Sequence, residues 1–119
     1  MNRPDDDTQF AGKWTVPKYI YGDDVFPNAV SGSGYVLTAD LVNCIYEGGL
    51  RTRFLNLEDV FITGLAARKC DVTLKNSQWF RFMGKKSKSV TKQDILIHDV
   101  KTEEKFMELH NRVIKMYPL

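Results

Sequence analysis

The 119 residues predict an α/β chain, in which short apolar runs of strand length alternate with stretches of helical periodicity. Three observations carry that reading. Compact apolar runs stand at Tyr35-Val36-Leu37 and Ile95-Ile97, helically spaced apolar residues follow Thr38, Glu58 and Thr102, and glycine and proline punctuate the joins. With 43% hydrophobic, 12% aromatic and 27% charged residues, the composition is that of a globular chain. A domain of this size buries roughly two-thirds of its unfolded surface, enough for a core. Wholesale disorder, collagen and a disulfide scaffold are excluded. No apolar run approaches ~18 residues, so no membrane-spanning segment is expected. Seventeen basic and fifteen acidic residues give +2, too little to imply nucleic acid. The N-terminus MNRPDDDTQF has no apolar h-region, so no signal peptide is expected.

Taken in order, residues 1–12 are polar, end at Gly12 and read as a tail or connector. From Lys13 to Asn28 the text is aromatic and broken by Pro17 and Pro27, which forbid a long regular element. Tyr35, Val36 and Leu37 suit a short buried strand after the loosened backbone of Gly32 and Gly34. Thr38 is placed to cap a helix starting at Ala39, with Leu41, Val42 and Ile45 as its apolar face and Gly48-Gly49 as its stop. RTRFLNL alternates, with Phe54, Leu55 and Leu57 as its apolar members, and reads as a strand or extended segment. A second helix spans Glu58 to Lys69, its two leading carboxylates suited to the positive end of a helix dipole.

Asp71–Leu74 and Trp79–Met83 read as short strands, and Ile95–Ile97 as a buried strand delivering His98 at its end. Thr102 caps a last amphipathic helix carrying Phe106, Leu109, Val113 and Met116 on one stripe, ended by Pro118. Between Lys75 and Lys92 the cations Lys75, Arg81, Lys85, Lys86, Lys88 and Lys92 have no acid among them and read as a solvated basic loop. Cys44 and Cys70 have no metal-ligand spacing; a lumenal disulfide, two ordinary thiols, and partners outside the chain all stay open.

Four groups of residues could carry chemistry. Asp5-Asp6-Asp7 has the carboxylates of a divalent-cation site, but no apolar strand precedes it to hold it rigid, so it reads as solvated tail. Glu58-Asp59 stands where an extended segment meets a helix, so that one acid can cap while the other faces a cleft and takes a proton. His98 is by itself a core histidine more often than a ligand, and His110 lies mid-helix. Ser31-Gly32-Ser33-Gly34 could let backbone N–H groups approach an anion, yet it lacks the spacing of a P-loop or a dinucleotide fold.

The order of these pieces is more specific than any one of them. Lys13-Trp14, Phe26-Pro27, SGSGYVLT, Glu58-Asp59-Val60 and Ile97-His98 together resemble glycosyltransferase family 31, the inverting β-1,3-galactosyl- and β-1,3-N-acetylglucosaminyltransferases. The resemblance runs from Lys13 to the last helix and implies that residues 13–119 are the C-terminal portion of a GT-A domain, a Rossmann-like mixed sheet. It implies a UDP-sugar donor, a glycan acceptor and Mn²⁺. It places Gly32, Ser33 and Gly34 at the donor, Asp59 as catalytic base with Glu58 beside it, and His98 as a metal ligand. Trp14 and Tyr35 fall on the acceptor side or in a structural role. The resemblance implies the lumenal side of the Golgi membrane, reached through an N-terminal anchor, and the 119 residues are expected to carry neither that anchor nor the family's upstream Asp-x-Asp strand. The chain alone is therefore expected to transfer little or no sugar and to be marginally stable, with an exposed sheet edge and apolar face. A non-catalytic glycan-binding or regulatory remnant of the same fold is the alternative, and an unrelated small α/β module the third.

Overall fold

A computed structural model describes residues 12, 14–82 and 90–118. Asp5-Asp6-Asp7, Lys13, Met83 and the loop cations Lys85, Lys86 and Lys88 lie outside the described residues. The chain divides into two compact units, Met1–Lys75 and Asn76–Leu119. The elements are mixed helix and strand, in keeping with the predicted α/β class.

In the first unit, α1 spans Ala39–Leu50. It starts where expected, but Thr38 makes no side-chain cap, and the helix runs through Gly48-Gly49 instead of stopping there. The reason is tertiary. A Cβ on Gly48 would stand 2.1 Å from the Ala66 carbonyl oxygen, so glycine is needed for close approach and not for termination. The packed face of α1 is Leu41 and Ile45, which meet Ala66, Ala67, Leu37 and Ile62. Val42, expected on that face, is 53% exposed and forms an open stripe with Tyr46 and Leu50 at i, i+4 and i+8.

Cys44 on α1 is bonded to Cys70, with Cα atoms 6.0 Å apart, which closes the question that the sequence leaves open. Closing a loop of 26 residues stabilises the fold by about 3.5 kcal/mol in the chain-entropy picture. The expected helix over Glu58 to Lys69 is present as one helical path, but not as a regular α-helix. Glu58 and Asp59 are helical, Val60–Leu65 is a π segment and Ala66–Lys69 a 3₁₀ turn. A second core, Val16, Phe26, Leu55, Leu57 and Val60, anchors its start.

Three segments of this unit that the sequence offers as strands form no ladder among the described residues. Tyr35–Leu37, expected as a buried strand, leaves Val36 77% exposed between two half-buried neighbours, and no strand pairs with it among the described residues. RTRFLNL begins as the turn that leaves α1 and forms no ladder; Leu55 and Leu57 are buried while Phe54 points out and rests against Phe61, ring centres 5.8 Å apart. Asp71–Leu74 is likewise irregular.

In the second unit, β1 (Phe80–Phe82) pairs in parallel with β2 (Leu96–His98), Arg81 opposite Ile97. The strand expected at Ile95–Ile97 is thus shifted by one residue. Ile95 is 64% exposed, and His98 is part of the strand and exposed, not buried at its end. Asp99 follows at φ 69°, a left-handed turn that an aspartate tolerates. Helix α2, Glu103–Met116, is capped by Thr102, whose hydroxyl accepts from the Lys105 N–H at 3.2 Å. Of its apolar stripe only Leu109 is fully buried, against Val90 and Ile97, while Phe106 is 59% exposed.

Arg81 does not belong to a solvated basic loop. Its guanidinium grips both oxygens of Asp94 at 3.0 and 2.8 Å, and the Asp94 side chain is 2% exposed. Burial alone would raise the Asp94 carboxyl, but the Thr91 N–H and the Arg81 charge outweigh it and hold the group below the usual carboxylate range. A depressed carboxylate contributes stability that is complete above its unfolded value, about 3.9, and is lost as pH falls through the lower folded value. Asp94→Asn is therefore expected to melt below the wild type at pH 7. The gap should close as pH falls through the lowered folded value, where the native carboxyl is itself neutralised. Thermal melts followed from pH 7 down into acid check this, and a gap that stays constant in acid would contradict it.

Candidate functional site

The site is built where the Ser31–Tyr35 loop meets the start of the helical path. The segment carrying buried Leu55 and Leu57 brings the chain to Glu58 and Asp59. Asp59 spends both carboxylate oxygens on backbone donors: Oδ1 accepts from the Val60 N–H at 2.9 Å and Oδ2 from the Gly32 N–H at 2.8 Å. The second bond spans 27 residues and fixes the loop on the helix. Contact is close enough that a Cβ on Gly32 would lie 3.1 Å from Oδ2 and 3.3 Å from Cγ. Each oxygen of a carboxylate has a further lone pair, so the group is oriented without being exhausted as an acceptor.

Glu58 engages the same loop. The Tyr35 hydroxyl donates to Glu58 Oε1. Partial burial, followed by the bond to Glu58 and the charges of Glu58 and Asp59, pushes the Tyr35 phenol up to about 12. Tyr35 is therefore a donor at neutral pH and not a base. The two adjacent acids thus hold the loop at two points, one through its backbone and one through a ring.

Within the loop, the Gly34 N–H bonds the Ser31 carbonyl at 3.3 Å and the Ser33 N–H bonds Ser31 Oγ at 3.3 Å. Ser31 and Ser33 share a hydroxyl bond at 3.0 Å. All three amides from Gly32 to Gly34 are thereby used inside the protein.

Gly32, Ser33, Gly34, Tyr35, Glu58 and Asp59 are brought together. Trp14 lies on a separate turn of the same unit, closed by the Thr15 N–H to the Gly12 carbonyl, and is 51% exposed. His98 stands in the other unit, on β2. Among the described residues no three His, Cys, Asp or Glu side chains gather to hold a metal ion. No helix among the described residues is long and apolar enough to cross a membrane.

One residue of the site goes unnoticed in the sequence. Thr63 is 5% exposed, and its hydroxyl donates to the Asp59 carbonyl at 2.6 Å while accepting from the Val30 N–H at 3.0 Å. The available signal was a lone hydroxyl among Phe61, Ile62, Gly64 and Leu65, four residues after Asp59.

The geometry defines an α/β protein whose carboxylate pair is oriented by a serine-glycine loop, the arrangement that a fixed proton acceptor needs. The galactosyltransferase family model matches residues 2–78, well over half of the chain. Beta-1,3-galactosyltransferase 1 of Mus musculus and of Homo sapiens are each 36% identical over 93 residues, 77% of this chain and 28% of the relative. Beta-1,3-galactosyltransferase 2 of Homo sapiens is 40% identical over 50 residues, 42% of this chain and 12% of the relative. The chain belongs to the galactosyltransferase family. It spans about 28% of the length of the first of these relatives. The loop and the acid pair fall inside the family match, whereas His98 lies beyond it. No solved structure matches the chain.

Proposed function

We propose that this chain is the C-terminal part of an inverting β-1,3-glycosyltransferase domain of GT-A type, which moves galactose or N-acetylglucosamine from a UDP-sugar to a glycan hydroxyl. The observation that carries the reading is the Asp59 carboxylate, held on two backbone N–H groups at the edge of the family's glycine loop. The acceptor oxygen attacks the anomeric carbon, its proton passes to Asp59, and the bond to the diphosphate breaks on the opposite face. Family membership and the β-1,3-galactosyltransferase names of the relatives support the sugar chemistry.

Glu58, tied to Tyr35, positions the loop and the acceptor, and the Ser31 and Ser33 hydroxyls face the donor. His98 offers one metal ligand; further donors for Mn²⁺ come from elsewhere in the complete transferase, and no step is routed through the ion. The Cys44–Cys70 bond fits the oxidising Golgi lumen, since such bonds rarely persist in a reducing compartment. The open Val42, Tyr46 and Leu50 stripe supports the view that more of a larger domain packs on α1.

A glycan-binding remnant is the competing reading, and it predicts different ligands. Titration of the 119-residue chain and of the complete transferase with UDP, Mn²⁺ and glycans separates the two. The proposal expects Mn²⁺-dependent UDP binding and transfer in the complete protein, and neither at comparable strength in the short chain. Glycan binding with no donor binding in either form would favour the remnant.

A further inference from the structure

Thr63 does more than fill its place in the core. Its hydroxyl joins the Asp59 carbonyl, at 2.6 Å, to the Val30 N–H, at 3.0 Å, two residues before Gly32. Asp59 and Gly32 are themselves joined at 2.8 Å by carboxylate and amide. The four groups form a closed ring of contacts: Asp59 backbone, Thr63 hydroxyl, Val30–Gly32 backbone, Asp59 carboxylate. The ring fixes both the backbone and the carboxylate of the residue proposed as the base.

The helix geometry fits this role. Thr63 bonds the carbonyl four residues back, and the path widens to a π segment at Val60–Leu65. A hydroxyl that bonds a main-chain carbonyl of its own helix competes with the regular ladder and bends it, and π turns gather at functional sites. A threonine serves here because one hydroxyl donates and accepts at once, which valine, of the same shape, cannot do.

We propose that Thr63 is a positioning residue for Asp59: through its hydroxyl it sets the register between the glycine loop and the base, and so the direction in which the carboxylate faces the acceptor. The inference rests on Asp59 being the base, but its physical content can be read without activity.

The test compares Thr63→Val, Thr63→Ala and Thr63→Ser. In the 119-residue chain, amide exchange is followed at Val30, which loses its acceptor directly, and at Gly32, which bonds Asp59 and does not touch Thr63. The proposal expects Gly32 to exchange at least tenfold faster in Thr63→Val, and close to the wild-type rate in Thr63→Ser. In the complete transferase kcat should fall about tenfold in Thr63→Val, with donor KM within twofold and the serine variant restored. If Thr63→Val does not fold, Thr63→Ala supplies the same comparison against serine. Unchanged Gly32 exchange in a folded variant would overturn the positioning role, as would equal kcat in the valine and serine variants. A wild-type transferase that moves no sugar would instead sink the functional reading, while the exchange data still decide the role of Thr63.

Discussion

Gly48→Ala is expected to destabilise the first unit by at least about 2 kcal/mol, against the usual direction for a helix interior. In an open helix the exchange would stabilise, because alanine exceeds glycine in helix propensity by about 1 kcal/mol. Here the new Cβ would stand 2.1 Å from the Ala66 carbonyl oxygen and 3.0 Å from its carbon. Those are backbone atoms, which cannot rotate aside, so α1 and the 3₁₀ turn would have to separate. The disulfide resists that separation, since Cys44 lies one turn before Gly48 and its partner Cys70 directly follows the turn at Ala66–Lys69. The clash and the bond are therefore coupled and their effects should not add. Denaturant melts of wild type and variant, oxidised and reduced, measure the coupling. The alanine penalty should be smaller after reduction, when α1 is free to retreat. An alanine variant as stable as the wild type would show that the close approach of α1 to Ala66 is wrong.

Asp59→Asn in the complete transferase is expected to lower kcat by about 10²–10⁴-fold, the usual worth of a general base, with donor KM nearly unchanged. The substitution keeps the shape but removes the proton acceptor. It also leaves one acceptor oxygen for two N–H donors, those of Gly32 and Val60, which costs about 1 kcal/mol of stability and loosens the loop. Two controls separate these effects. Added formate should restore part of the rate if the loss is of a base, and should do nothing if the loop has merely moved. Glu58→Gln should be far milder, because a glutamine oxygen still accepts from the Tyr35 hydroxyl. An active Asp59→Asn beside an inactive Glu58→Gln would reverse the roles assigned to the two acids.

How far these features could be read in advance depended on whether their cause was local. The path from Glu58 to Lys69 was legible, because Val60, Phe61, Gly64 and Leu65 repeat at helical spacing. Its π and 3₁₀ character was not, since it accompanies a hydroxyl bond at Thr63 and packing against α1. The start of α1 was legible and its end was not, because glycines that usually stop a helix serve here for contact. At Tyr35–Leu37 the expected buried strand is absent and Val36 is exposed, because a strand needs a neighbour and pairing is not a local property. Arg81 looked solvated because the stretch from Lys75 to Lys92 holds no acid, and its partner Asp94 stands two residues beyond it. The loop and acid pair of the site stood out as sequence motifs. Their contact, a bond over 27 residues, came only with the fold.

The central claim, a galactosyltransferase whose Asp59 takes the acceptor proton in an inverting transfer, is tested most directly by the anomeric form of the product. UDP-galactose carries its sugar in α linkage, and a single attack from the face opposite the diphosphate must give a β linkage. Incubation of the complete transferase with UDP-galactose and a panel of glycan acceptors, followed by proton NMR of the product, reads that configuration. The account predicts a β-1,3-linked galactoside from the wild type and almost none from Asp59→Asn. An α-linked product, or a β-linked product formed equally well by Asp59→Asn, would contradict it.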